Sequence, residues 1–445
     1  MKNSLGLILI FFFSICTCVG QTNHSILIQN VTVIPMVGEI TLENQDVWIA
    51  HGKILKIENS PTERTASNYR IVDGTNKYLI PGLSEMHYHW RSTENGIEHD
   101  LKLLLANGIT TVRNMAEYGG QDHVAVGKKI NSGALLGPDY YTTGPYLKQG
   151  QLQSKEQIDQ IVESHVSKGY DFLKLADNLP KELYLHLLEK AQKSGIPVIG
   201  HAQRKLPLEF SLRMKSIEHV EDFIYVFNKE EEWNYLNNNT QDLYDTANSI
   251  QQSGLYVTPT LVVFETVNQY LDDDTFKKLQ EDPLTKYLPA DQRAKFLTEK
   301  NEYRSLKELE FEGTKAPILF SRYLEWMKMF TKILSDSHVM LMSGSDTFGV
   351  AYVGFSLHRE FELMQEVGMK PYDILRTTTV NPARYLGKYA EDGTISEGKR
   401  ANMVLLNKNP LEDISNTQTI ESVILNGRLL DRGELDNLLK DAEIH

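Results

Sequence analysis

Histidines recur where short apolar runs of this chain end. His87 and His89 stand two apart in Pro81-Gly82-Leu83-Ser84-Glu85-Met86-His87-Tyr88-His89-Trp90-Arg91. In an extended segment alternate side chains share a face, so both imidazoles can reach one small object at a strand end. The object that most often recruits paired neutral imidazoles is a transition metal such as zinc. Other runs also end in polar residues: Lys174 in Phe172-Leu173-Lys174-Leu175, His201 after Val198-Ile199-Gly200, His219 after Ile217-Glu218, and Asp346 after Met342-Ser343-Gly344-Ser345. Singly, each has a plain explanation. A histidine can be satisfied in the core, Lys174 can snorkel outward, Asp346 can cap a helix, and Glu218 and Asp222 can be local hydrogen-bond partners. Together at successive strand ends, four histidines, a lysine and an aspartate are better explained by a metal site.

Lys174 bears on the metal count. Among Phe172, Leu173 and Leu175, an unpaired ammonium is costly. Carbamylated by carbon dioxide, the side chain becomes an anionic carboxylate able to bridge two cations. The expected cofactors are then two divalent ions, zinc foremost, with a bridging hydroxide as nucleophile.

Such residues need a scaffold that brings strand ends to one axis. From about 81 to 385 short apolar strands alternate with amphipathic helical stretches. The strands are Thr110 to Asn114, Tyr140 to Thr143, Phe172 to Leu175, Val198 to His201, Ser216 to His219, Tyr256 to Thr260 and Val339 to Ser343, with one more before His87. Eight β/α units predict an α/β fold, a (β/α)8 TIM-like barrel with its site at the C-terminal strand ends. The stretch 265–335 reads as a helical insertion without strands, placed as a lid. Residues 21–80 and 386–432 are strand-rich, with turns at His51-Gly52 and Asn426-Gly427. They predict a small β-sandwich domain assembled from both termini, followed by a C-terminal tail, 433–445. Asp272-Asp273-Asp274 and Asn237-Asn238-Asn239 read as surface loops.

With 445 residues, 41% of them hydrophobic, the chain can bury a large core. A net charge of -13 argues against nucleic acid and anionic membrane as partners. A small-molecule substrate is expected, with no stable membrane partner, and a homo-oligomer stays open. Lys2 and the apolar run Leu5 to Cys18 resemble a signal peptide, residues 1–20, cleaved near Gly20. That run is shorter than the ~20 residues of a spanning helix. Lipid anchoring at Cys18 is the lesser alternative to a secreted or periplasmic protein. Cys16 and Cys18 are the only cysteines, so the mature chain would have neither disulfides nor thiolate ligands.

Over about 26–432 the chain resembles the amidohydrolase superfamily, in its imidazolonepropionase-like and metal-dependent, prolidase-like dipeptidase branch. The motifs are Pro81-Gly82-Leu83 with the His87/His89 pair, Gly200-His201-Ala202, Glu218-His219, Gly344-Ser345-Asp346, Thr378-Thr379-Val380-Asn381-Pro382-Ala383, Gly393 to Lys399, and Asn409-Pro410-Leu411. The resemblance implies that His87, His89 and Asp346 bind one metal, that His201 and His219 bind a second, and that carbamylated Lys174 bridges them. Asp346 would also shuttle the proton. Some relatives instead use one metal, held by His87, His89, His201 and Asp346. Two positions depart from the family, which usually has Asp at Glu85 and at Asn402. A Gly-Gly-His-Gly element common in these dipeptidases is replaced by Thr142-Thr143-Gly144-Pro145-Tyr146. The implied function is a secreted hydrolase of a C–N amide bond, in a dipeptide or N-acyl amino acid. A lactone or phosphotriester hydrolase and a non-catalytic metal- or solute-binding protein are the alternatives. Tyr146, Tyr225, Tyr141 and His123 are candidate substrate contacts.

Overall fold

The computed structural model describes residues 25–61, 68–91, 95–227, 239–311 and 313–444. The expected signal peptide with Cys16 and Cys18, and Asn237 and Asn238, lie outside the described residues. Five strands come first: β1 (Ile26–Val33), β2 (Leu42–Ala50), β3 (Lys53–Asn59), β4 (Arg70–Asp73) and β5 (Tyr78–Pro81). β2 and β3 form the expected hairpin, and His51 and Gly52 both take the positive φ that its turn requires. Next come β6 (Leu83–Tyr88), β7 (Ile109–Asn114), β8 (Asp139–Thr142), β9 (Leu173–Leu175), β10 (Val198–Gly200), β11 (Ser216–Glu218) and β12 (Tyr256–Thr258), alternating with helices.

Beyond β12 the helical insertion contains one short hairpin, β13 (Glu310–Phe311) and β14 (Thr314–Lys315). This corrects the expectation of no strand there. Glu310 faces Lys315 across the hairpin, an opposite-charge pair that favours it. β15 (Met340–Leu341) completes the barrel strands, and β16 (Met403–Leu406), β17 (Ile420–Leu425) and β18 (Arg428–Leu430) return to the first sheet.

The barrel strands form two parallel ladders, β6-β7-β8 and β15-β12-β11-β10-β9. Backbone bonds cross both seams. Met86 N–H reaches the Ser343 carbonyl (2.9 Å) and Asp346 N–H the His87 carbonyl (2.7 Å). At the other seam Asp171 N–H reaches Thr142 (2.9 Å) and Leu147 N–H reaches Lys174 (2.9 Å). The fold is therefore TIM-barrel-like, in two ladders rather than one closed one. β6 is buried at every position, as expected of a strand with the barrel interior on one face and helices on the other. Met86, Met115, Phe172, Ile199, Met342 and Tyr385 pack into an apolar floor inside.

The terminal strands make one eight-stranded sheet, β18-β17-β16-β5-β1-β2-β3 with β4 beside β1. The pairing does not separate into the two layers of a sandwich, because β5 bonds both β1 and β16 and so joins the two termini in one ladder. The predicted tail is largely the helix Arg432–Asp441, started by an Asp431/Glu434 capping box. Asp272 and Asn239, read as loop residues, cap the helices Asp273–Glu281 and Thr240–Ser253. Their carboxylate and amide oxygens accept the first free N–H groups there. Tyr270, Phe276, Leu288 and Phe296 of the insertion pack on Val350 and Tyr352, so the insertion covers the loop that follows Asp346. Among the described residues no helix is long and apolar enough to cross a membrane.

Candidate metal centre

Two strand ends build the tight part of the centre. His87 and His89 come from the end of β6, and Asp346 from the loop after β15. That loop lies directly on β6. A Cβ at Gly344 would stand 2.5 Å from His87 Cβ and 2.7 Å from its nitrogen, so only glycine permits the approach. Glu85 braces the junction. Its Oε1 accepts the N–H of His87 (2.9 Å) and of Ser345 (3.0 Å), and its Oε2 accepts the Ser345 hydroxyl (2.6 Å). Burial pushes its pKa up to about 7 against these bonds. Glu85 thus ties the histidine pair to the loop that carries Asp346.

His87, His89 and Asp346 present ligand atoms that all lie within 4.8 Å of one another. Asp346 Oδ1 is 3.1 Å from His89 Nε2 and 3.4 Å from His87 Nε2. A tetrahedral centre with bonds of about 2.0 Å has edges of about 3.3 Å, so this spacing fits a divalent cation bound at that distance. Burial drives His87 and His89 far below ordinary imidazole values, aided by Lys174 beside the first and Arg91 beside the second. Neutral rings keep the lone pairs that a metal needs. Burial alone would raise Asp346, but His87, His89 and His219 hold its carboxyl well below the usual range. The donor set therefore fits a divalent cation.

Lys174 and the other two histidines adjoin this group. Lys174 Nζ lies 3.2 Å from His87 Nε2, fully buried. His219 sits 4.6 Å from His87 between ring centroids and stacks on His201 at 5.1 Å. All six predicted ligands thus come together, although His201 and His219 lie outside the tight triad. Three of the ten non-glycine residues with positive φ among the described residues stand here. His219 (φ 75°), Thr260 (φ 55°) and Asp346 (φ 50°) occupy the left-handed region that non-glycine residues seldom adopt.

Outer partners orient the rings. Asp222 accepts from His201 Nδ1 (3.3 Å) and from the Ala202 N–H (2.7 Å), and Arg204 pairs with it. Thr260 Oγ1 is 2.7 Å from His219 Nδ1. Glu218 Oε2 stands 3.3 Å from His87 Nδ1 without hydrogen-bond alignment, leaving that nitrogen unpartnered. Arg113, wholly buried, donates to both Glu218 oxygens (2.9 and 2.8 Å) and to Tyr385 (2.8 Å). Sequence reading missed Arg113. Its signal was an arginine inside the apolar strand Ile109–Asn114, where a charge must find a partner.

The four candidate substrate contacts divide evenly. Tyr146 stands over the site, its ring 5.1 Å from Lys174 Nζ and 6.1 Å from the His89 ring. Tyr225 stacks on Arg204 at 4.0 Å, beside the His201–Asp222 pair. Tyr141 is corrected. It packs against the apolar floor and lines a cavity with Asp139, Asp392 and Arg400, at the opposite end of the barrel. His123 is corrected as well. Tyr140 Oη and Gln121 Oε1 occupy its two nitrogens at 2.6 and 2.8 Å, so the ring is satisfied within the fold. Tyr118, also missed, bridges Tyr146 (3.3 Å) and His89 Nδ1 (3.5 Å).

The profile of the Amidohydrolase family matches residues 78–430. No curated protein gives a significant match. Among solved structures, a bottromycin amidohydrolase superposes with TM-score 0.72 at 19% identity, covering 94% of this chain and 90% of that one. A Xaa-Pro dipeptidase with bound methionine gives 0.66 at 16% identity, with 92% and 100% covered. A molinate hydrolase gives 0.65 at 18% identity, with 92% and 95% covered. At these identities the similarities establish the fold. The family profile, spanning the barrel and its return into the terminal sheet, shows that the chain belongs to the amidohydrolase family and is a hydrolase.

Proposed function

We propose that the protein hydrolyses a C–N amide bond, of the dipeptide or N-acyl amino acid type, at a two-metal centre. The observation that carries this reading is the convergence of His87, His89 and Asp346 with Lys174 at 3.2 Å from His87. Divalent cations, zinc foremost, would polarise the scissile carbonyl and acidify water. His87, His89 and Asp346 would hold one cation, His201 and His219 the other, and Lys174 as its carbamate would link them. Carbamylation needs a neutral amine, and burial brings Lys174 down to about 8, within reach of neutral pH. Asp346 turns Oδ1 to His89 and Oδ2 toward His219 at 4.0 Å, which puts a carboxylate across the cluster. It would take a proton from the attacking water and deliver it to the leaving nitrogen. Water oxygen then joins the acyl carbon as the C–N bond breaks, giving an acid and an amine. Tyr146 and Tyr225 would border the substrate.

Turnover of dipeptides, N-acyl amino acids and lactones by zinc-loaded protein tests this. Amides should be cleaved, and Asp346→Asn should keep the fold while losing about 10²–10⁴ in rate. Cleavage of lactones alone would contradict the amide assignment. The apolar leader supports action after export, and a mature N-terminus near Gln21, found by sequencing the secreted protein, is the expected result.

A further inference from the structure

His219 is held by the start of the helix Leu261–Leu271. Its Nδ1 stands 2.7 Å from Thr260 Oγ1, and the Phe264 ring in the first turn lies edge-on to it, centroids 6.2 Å apart. The Thr260 hydroxyl has one proton and gives it to the Pro259 carbonyl (2.7 Å). Toward His219 it can then only accept, which puts the ring proton on Nδ1 and leaves the Nε2 lone pair for a metal. Thr260 is wholly buried and holds φ 55°, a backbone setting that is costly for a β-branched residue.

Thr260 precedes the first turn of that helix, where a threonine oxygen ordinarily accepts one of the first free N–H groups. Its side chain makes no such bond. Glu360, on the helix Phe355–Glu366, supplies an acceptor instead. Its Oε2 takes the Val262 N–H at 2.8 Å, and the carboxyl also faces the Leu261 N–H. Arg359, its neighbour, ties the same two helices by donating to both oxygens of Glu265 (2.9 and 2.7 Å). Glu360 is wholly buried, and its Oε1 has no hydrogen-bond partner. Burial, opposed by the two N–H groups, pushes its pKa up to about 8, so a neutral oxygen suffices as the acceptor. An exposed cap would satisfy the helix without the expense of burying a carboxyl.

We propose that Glu360 is a positioning residue for His219. By capping the helix Leu261–Leu271 in place of Thr260, it leaves the Thr260 hydroxyl to fix the His219 ring with Nε2 free for a metal. It acts through Thr260 and Phe264, not by contact with substrate or metal.

The test uses the full chain labelled with ¹⁵N in histidine, the His219 ring being identified by its loss in His219→Gln. Long-range proton–nitrogen correlations on metal-free protein read the tautomer, and chelator competition reads zinc affinity. Wild type should carry the His219 proton on Nδ1. Glu360→Met should mix the tautomers and weaken the weaker zinc site by about 10- to 100-fold, and Thr260→Val should do the same. Glu360→Gln keeps the acceptor oxygen and should stay within about threefold of wild type. If Glu360→Met does not fold, Glu360→Asp, one carbon too short to reach Val262, replaces it with a smaller effect in the same direction. A wild-type tautomer and zinc affinity in the folded Met or Asp variant would overturn the proposal and leave Glu360 a helix cap alone. Losses in Glu360→Gln equal to those in Glu360→Met, or a wild-type ring protonated on Nε2, would also overturn it. The zinc measurement rests on the two-metal reading. A single zinc equivalent in wild type would remove that reading, and the tautomer alone would then decide the role of Glu360.

Discussion

A metal-binding imidazole is only as well placed as the partner of its second nitrogen. His219 has Thr260 and His201 has Asp222, each close enough to fix a tautomer. His87 has Glu218 at 3.3 Å, poorly aligned, and Arg113 holds that carboxylate from below. Glu218 is thus shared between a permanent cation and a ring that gains positive character when it ligates. Glu218→Gln keeps the shape and removes the charge. Metal affinity, measured by competition with a chromogenic chelator, should fall about 10- to 100-fold, and an unchanged affinity would leave Glu218 a partner of Arg113 alone.

At the level of elements, Tyr270 adds a hydrogen bond to the apolar packing that docks the insertion. Tyr270 Oη accepts the Val350 N–H (3.0 Å), and a Cβ on Gly349 (φ 64°) would come within 2.2 Å of that hydroxyl. Gly349→Ala should cost about 1–3 kcal/mol of stability from overpacking and the left-handed backbone. Proteolysis should then strike the insertion before the barrel; a cut in the barrel first would refute this docking. The residues of the candidate centre were legible in sequence because most of them follow a short apolar run, and strand ends of a parallel barrel share one mouth. Tyr141 was not legible. Residue type does not reveal height along the barrel axis, which the stagger of the strands sets, and Tyr141 sits at the floor. His123 misled for another reason: Tyr140 and Gln121, close in sequence, already satisfy both nitrogens. The terminal sheet was foreseen as strands from both ends, but its continuity depends on β5 bonding two neighbours, a pairing that no local pattern encodes.

Across the whole molecule, Arg400 links the terminal sheet to the barrel. It bridges to Lys53 of β3 through the backbone, and its guanidinium pairs with Asp139 of β8 and with Asp392. Arg400→Ala would leave two largely buried carboxylates facing each other. About 3 kcal/mol should be lost in a denaturant titration, and a loss below about 1 kcal/mol would make the contact incidental. Acid should destabilise the fold through two buried histidines outside the candidate ligand set. Burial lowers His358, between Thr417 and Asn107, and His123 to about 4. Both are neutral when folded and protonate near 6.5 when unfolded, so the unfolded state binds more protons between those values. Stability is complete above pH 6.5 and declines as pH falls toward 4, by about 3 kcal/mol for each histidine. A flat melting temperature over that range in metal-free protein would contradict the assignment. The most direct test is elemental analysis of zinc-loaded holoprotein beside its Lys174→Ala variant, with turnover of the same samples. Two equivalents in wild type, with loss of metal and rate together in the variant, is the predicted result. One equivalent in both, with turnover intact, would contradict the two-metal centre.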